Sequence, residues 1–302
     1  MQYTSRLLMV EPVQFGYNSE TAVNNIFQHK PSNEVQSYAL NEFNRFVALL
    51  RANKINVTVV KDTASPATPD SIFPNNWISF HEDSSIVLYP MFAANRRQER
   101  KPHILEELEK SFLIQKVYDL TGYEKQGLFL EGTGSMVLDR KNKIAYACLS
   151  ARTNPDMLYE FCKLKGYTPV VFTATDINGK EIYHTNVMMC ISDSLAIICL
   201  ESVSNSREIE KLIGMLGSTN KEILPISLEQ LHHFAGNMLQ VVNSDGVKCM
   251  VMSTCAYASL NEIQLAAIKK QNRIIHSSLD HIENAGGGSA RCMMAEIFLN
   301  PV

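Results

Sequence analysis

The stretch Thr185–Ser202, TNVMMCISDSLAIICLES, decides how this chain is built. Two apolar runs flank a polar break at Ser192–Ser194, the pattern of strand, turn, strand. Three other stretches copy it: Asn76–Pro90 (NWISFHEDSSIVLYP), Gly134–Ser150 (GSMVLDRKNKIAYACLS) and Gly236–Thr254 (GNMLQVVNSDGVKCMVMST). They begin about 50 to 60 residues apart, a spacing that marks an array of similar units.

Working outward, a helix-like segment and a further strand follow most of these hairpins. In Asn154–Thr173 (NPDMLYEFCKLKGYTPVVFT), Asn154 can cap a helix that Pro155 opens and Gly166 ends. Ser204–Ser227 (SNSREIEKLIGMLGSTNKEILPIS) has the same order. The N-terminal part fits less tidily, with strand RLLMVEPV, helix SNEVQSYALNEFNRFVALLRANK and strand INVTVV. Counting it, the chain holds about five ββαβ-like units. Five copies predict a closed, pseudo-fivefold α/β arrangement, because strand edges and apolar faces must be covered. An ordinary α/β sandwich is the alternative. No low-complexity linker divides the chain, so residues 1–302 are expected to form one domain.

Composition narrows the function. The chain has 302 residues, 45% hydrophobic content, a net charge of -3 and no lysine-rich or aromatic-basic run. A small-molecule substrate fits better than nucleic acid. The longest apolar run, LAIICL, falls far short of the ~20 residues of a membrane span, and no secretory leader stands at the start. A cytoplasmic protein is expected. Seven cysteines, an odd number set largely in strand-like runs, argue against disulfides. No zinc-ligand spacing occurs, and the adjacent His232 and His233 point apart on any regular element. Oligomeric state is left open, a homo-oligomer included.

One motif stands apart, Glu283–Phe298 (ENAGGGSARCMMAEIF), in which Gly286–Gly288 lead into Cys292. Glycines permit close approach to the backbone, as a reactive thiol needs, although a plain turn before a strand reads the same way. The run lacks the lysine and spacing of a phosphate loop. A cysteine nucleophile needs a histidine to manage protons and a third group to orient it. Eight histidines are available, and composition cannot choose among them. His184 in YHTNVMMC and Glu131 in LFLEGTGSMVLDR begin repeat units, although each taken singly also reads as structural.

Together, and in this order, these residues resemble the pentein superfamily of guanidine-modifying enzymes: arginine deiminase, dimethylarginine dimethylaminohydrolase and the amidinotransferases. The resemblance runs from VEPVQFGYN to the final strand. It implies a five-bladed pseudosymmetric α/β propeller built from ββαβ modules. It implies Cys292 as nucleophile, His184 as general acid/base and Glu131 as its partner. CLSARTN is similar to a family segment whose arginine grips the substrate carboxylate, which points to Arg152, as guanidinium geometry also favours. NRRQER offers Arg96 and Arg97, of which Arg97 is expected as a second contact. Asn18 and Glu20 in FGYNSE are candidates for the substrate's α-amine. No metal or organic cofactor is required.

The chain departs from arginine-processing relatives at two acids. FPNNW sets Asn76, beside Asn75, where an Asp would stand, and HTN sets Asn186 where another would. A guanidinium offers only donors and calls for carboxylates in a dry site, whereas a neutral ureido group has a carbonyl acceptor that an amide can serve. Citrulline is therefore the expected substrate, in line with the citrulline-utilisation hydrolases, which FPNNW and YPMFAANRRQER resemble most. The rivals are a deiminase or amidinotransferase on a guanidino substrate, and a non-catalytic binding module on the same architecture.

Overall fold

The computed structural model describes residues 1–31 and 34–302. Ser32 and Asn33, with which the sequence reading begins the first long helix, lie outside the described residues.

Among the described residues, fifteen strands form five three-stranded sheets. Strands β1 (Arg6–Glu11) and β2 (Asn56–Lys61) run parallel, joined by helix Gln36–Ala52. The next four sheets each come from one continuous segment. They are β3 (Ile78–Phe80), β4 (Ser85–Leu88) and β5 (Lys116–Asp119); β6 (Val137–Asp139), β7 (Ile144–Cys148) and β8 (Thr168–Phe172); β9 (Met189–Ile191), β10 (Leu195–Ile198) and β11 (Glu222–Pro225); and β12 (Leu239–Val242), β13 (Lys248–Ser253) and β14 (Arg273–Ser277). In each, an antiparallel hairpin is followed by a crossover helix and a strand parallel to the hairpin's second strand. This is the ββαβ order read from the sequence.

The untidy N-terminal unit has a simple cause. Its first strand is β15 (Ala295–Glu296), from the far end of the chain, antiparallel to β1 through Leu7 and Leu8. The fifth unit is thus split between the two termini.

Period-two alternation explains why the middle strands read as unbroken apolar runs. A strand buried on both faces sends alternate residues to two different cores. On β1, Leu7 and Met9 join one cluster with residues of β12 to β14, while Leu8 and Val10 join another with β3 and β4. On β7, Ala145 and Ala147 pack with Val87 and Tyr89, while Tyr146 and Cys148 pack toward β9 and β10. Each sheet therefore shares a core with two neighbours.

The crossover helices follow local rules. Asn154 accepts from the N–H groups of Asp156 and Met157, Pro155 opens helix Pro155–Lys165, and Gly166 ends it at a left-handed φ of 69°. Among the described residues, no helix is long and apolar enough to cross a membrane, and no group of three His, Cys, Asp or Glu side chains is arranged to hold a metal. All seven cysteines are free.

Candidate active site

The segments that lead into the first strand of each sheet carry most of the candidate residues. Short helical turns Pro74–Asn76, Gly132–Ser135, Thr185–Met188 and Ala290–Met293 precede β3, β6, β9 and β15, and the loop through Asn237 precedes β12. A turn placed there aims its side chains past the strand's end, where the leading segments of several sheets meet.

Cys292, His184, Asn76 and Arg152 line one small cavity with Thr21, Asn25, Asp70, Phe73, Arg96, Tyr183 and Gly286–Gly288. The thiol and the imidazole, more than a hundred residues apart in sequence, thus share a space. Its free volume is about 10 Å³, room for roughly one water. The N-terminal segment closes it: Asn25 Nδ2 donates to the carbonyls of Gly286 and Gly287, and Asn18 Nδ2 donates to Asp70.

His184 Nε2 lies 2.8 Å from Glu131 Oε2, with both side chains buried. With Nε2 donating to the carboxylate, Nδ1 is left as the ring's acceptor. Burial pushes the imidazole down to about 4, against the pull of Glu131. Burial alone would raise Glu131, but Arg152, His184 and Arg96 together hold it at about 2. The pair is therefore a neutral imidazole against an ionised carboxylate at neutral pH. Glu131 also accepts from the Phe92 N–H, which fixes its second oxygen.

Gly134 makes room for this. A Cβ there would sit 2.3 Å from Asn76 Nδ2 and 2.8 Å from His184 Nδ1, so any side chain would displace both groups. The glycines before Cys292 line the same cavity as the thiol, and each also has a structural part. Gly287, at φ 63°, ends helix Asp280–Gly286, and a Cβ at Gly286 or Gly288 would sit 2.9 Å from the end of the Phe73 ring.

Two amides converge on the thiol. Asn237 Nδ2 is 3.3 Å and Asn186 Nδ2 3.5 Å from Cys292 Sγ. Asn237 also donates to the Asn186 carbonyl and accepts the Arg291 N–H at 2.9 Å each, tying the turns that precede β9 and β15 together. Sequence reasoning missed it, although the repeat held the signal: Asn237 stands in the fourth copy one position before the apolar Met238, as Asn76 stands before Trp77 in the first. The other cysteines read as structural; Cys148, Cys162 and Cys190 are pushed up to about 12 by burial.

Arg97, expected as a second contact, does not line the cavity. Arg97 is turned away from the cavity, donating to the carbonyls of Met91 and Phe92 and lying over Phe129. Arg96 enters instead. It pairs with Glu99 at 2.8 Å, lies 3.7 Å from Asp70, and donates from Nη1 to Asn76 Oδ1 at 2.9 Å. Arg152 lines the cavity, but its donors are taken by the Thr21 carbonyl and Asn24, with Glu131 3.6 Å away and the Tyr183 ring beneath. Asn18 supports Asp70 and caps helix Ser19–Ala22, and Glu20 accepts the Asn95 N–H, so neither lines the cavity.

Several buried polar atoms have no partner among the described residues: Asn76 Nδ2, Asn186 Oδ1, Asn75 Oδ1 and Asp70 Oδ1. Such atoms are costly to leave unpaired; Asn76 and Asp70 line the cavity with the thiol, and Asn186 touches the thiol through Nδ2 but lines a neighbouring cavity with Arg291 and Glu296. Burial raises the Asp70 carboxyl against the pull of Arg96, Asn18, Arg152 and Thr21.

The sequence model of the family described as "N,N dimethylarginine dimethylhydrolase, eukaryotic" matches residues 11–299. No curated protein matches the chain. Among solved structures, apo ArgZ, an arginine dihydrolase from the ornithine-ammonia cycle in cyanobacteria, aligns at a TM-score of 0.76 and 18% identity. The alignment covers 98% of this chain but only 41% of that one. The N-terminal domain of ArgZ bound to product aligns at 0.73 and 18%, over 98% of this chain and 99% of that one. A Cys-to-Ser mutant of DDAH from Pseudomonas aeruginosa, complexed with citrulline, aligns at 0.66 and 16%, over 98% and 100%. At these identities the structural matches show the fold. The family match spans nearly the entire sequence and shows more: the chain belongs to the N,N-dimethylarginine dimethylhydrolase family of the pentein superfamily, hydrolases of non-peptide C–N bonds.

Proposed function

We propose that the chain hydrolyses a ureido amino acid, citrulline, to ornithine, ammonia and carbon dioxide through an S-carbamoyl intermediate on Cys292. The observation that carries this is a pair of unmatched amides, Asn76 in the lining it shares with the thiol and Asn186 in contact with the thiol through Nδ2. Asn76 Nδ2 is a donor without an acceptor, and Asn186 Oδ1 is an acceptor without a donor. A ureido group supplies one of each: its carbonyl oxygen accepts from Asn76 and its terminal amide donates to Asn186. A guanidinium has no acceptor and would leave Asn76 Nδ2 facing another N–H. The Asn76 orientation is not free to reverse, because Arg96 is donor-only and holds Oδ1.

In this reading His184, neutral at rest, takes the thiol proton, and the Cys292 sulfur forms a bond to the ureido carbon. The bond from that carbon to the ornithine nitrogen breaks, and the imidazolium returns its proton to the leaving amine. Glu131 orients the ring and stabilises its charged form. Water, deprotonated by the same imidazole, then attacks the S-carbamoyl carbon; the thiol is restored and the released carbamic acid breaks down to ammonia and carbon dioxide. Asp70 Oδ1 offers an acceptor for the substrate α-ammonium, and Arg152 a fork for the carboxylate. Arg152 must give up Thr21 and Asn24 to bind a substrate, so filling the site and loosening the N-terminal cover are one event. The five sheets, linked through shared cores and joined by the pairing of β15 with β1, support a five-bladed α/β propeller with the cavity at its centre.

Incubation with citrulline, arginine and dimethylarginine in turn, with ornithine, citrulline and ammonia assayed, tests the reading. Citrulline alone should yield ornithine and ammonia, and Cys292→Ser should abolish this while remaining folded. Turnover of arginine or dimethylarginine in preference to citrulline overturns the substrate, and undiminished turnover by Cys292→Ser overturns the nucleophile.

A further inference from the structure

We propose that a second cavity, between the β3–β4 and β6–β7 turns, binds a compact oxyanion through Arg140 and Lys143. These turns follow the first strand of their sheets, whereas the catalytic candidates precede it, so the cavity lies at the opposite end of the strands. Its volume is about 230 Å³, it is lined by His81, Asp83, Arg140, Lys143, Lys165 and Phe298 among others, and it shares no lining residue with the cavity at Cys292.

The charge balance beneath it is incomplete. Arg140 is only 7% exposed, its guanidinium carbon lies over the Phe298 ring, 4.2 Å from the centre, and Tyr167 belongs to the same lining. Its one acidic partner among the described residues is Glu296, at a long 3.4 Å. Glu296 is held more closely by Arg291, at 2.9 Å. Two buried guanidiniums thus share one carboxylate, one positive charge more than it can neutralise. Burial opposes the Arg140 charge but Glu296, Tyr167 and Tyr89 hold it in place, whereas burial pushes Arg291 down although it is the nearer to Glu296. Nearby acids are already engaged: Asp139 with Lys221 at 3.3 Å, Asp83 with Lys165 at 2.7 Å, and Glu82 with the terminal amine. Lys143 adds a second cation at the mouth, over the Tyr167 ring, with no acidic partner among the described residues. A guanidinium whose open edge faces a cavity beside a lysine suits a carboxylate or phosphate. An anion there would leave Glu296 wholly to Arg291, the residue next to the thiol.

Thermal unfolding is to be followed in sodium phosphate and in sodium acetate, each against sodium chloride at matched ionic strength. The native chain should show a saturable rise in Tm, because a ligand that binds only the folded state stabilises it. Arg140→Met should weaken the midpoint at least tenfold and the exposed Lys143→Met several-fold. A response to phosphate alone assigns phosphate as the ligand, and a response to both assigns carboxylates as well. No rise beyond chloride overturns the site. So does an unchanged midpoint in both variants, which would mean that the anion sits at Arg96 and Arg152; if Arg140→Met does not fold, an unchanged Lys143→Met decides against it.

Discussion

Replacing Asn76 by Asp tests the substrate argument at its narrowest point. The substitution exchanges Nδ2 for an oxygen and keeps Oδ1, which accepts from Arg96 Nη1 at 2.9 Å, so the turn Pro74–Asn76 keeps its anchor. What changes is the other amide atom, where a buried donor without a partner becomes a carboxylate lone pair. A ureido carbonyl that loses its donor in a dry site and meets an acceptor loses about 1–3 kcal/mol. At about 1.36 kcal/mol per decade, kcat/KM for citrulline should fall about 5- to 150-fold. A guanidinium gains a partner by the same change, so the ratio of citrulline to arginine turnover should move by more than the citrulline loss alone. Initial rates on both substrates, with circular dichroism to verify folding, measure this. A ratio that stays within about twofold of the native value, in a folded variant, would falsify the assignment of Asn76 as the carbonyl donor.

Other consequences follow from the same geometry. Between pH 6.5 and about 4 the unfolded chain protonates the His184 imidazole while the folded chain does not, so stability falls as the pH drops through that window. The slope from this one group is at most about 1.4 kcal/mol per pH unit. His184→Gln should flatten it in denaturant melts, and an unchanged slope would contradict the buried neutral ring. Glu131, held down at about 2, adds a second loss of stability as pH falls from 4.5 toward that value, which Glu131→Gln should remove. Gly134→Ala drives a methyl into Asn76 and His184, so turnover should drop about tenfold or more with the sheets intact by circular dichroism; native activity would mean the two side chains move at no cost. Asn237→Ala strips a donor from the thiol and from the Asn186 carbonyl and orphans the Arg291 N–H, at a cost of about 1–3 kcal/mol of stability in urea unfolding. A stability change under about 0.5 kcal/mol would refute the tie between the turn before β9 and the turn before β15.

What is legible in the sequence depends on whether the information is local. Hairpins, crossover helices and their caps are written in neighbouring residues, and so Asn154, Pro155 and Gly166 mark a helix that forms between them. The split unit is illegible for the opposite reason: β15 pairs with β1 across almost the entire chain, and nothing near Ala295 says where its partner lies. The same contrast runs through the site. Glu131 and His184 can be picked out because each begins a repeat unit, and Cys292 because glycines announce it. Arg96 and Arg97 are adjacent, and which one faces inward depends on the phase of the turn Asn95–Glu99. That phase is set by the pairing of Arg96 with Glu99 three residues on, and it then hands Arg96 to Asn76 and Asp70. The spacing of three is visible in NRRQER, but only the enclosed cavity makes it decisive, since a solvated pair of this kind is worth little and would not choose a face. Asp70 belongs to no repeat position at all. It enters the site through Asn18, Thr21 and Arg96, side chains contributed by the cover and by a different turn. Residues that recur with the architecture, Asn76 and Asn186 among them, are thus readable from one copy to the next, whereas Asp70 and the choice of Arg96 over Arg97 come from the loops between copies, where no periodicity exists to read.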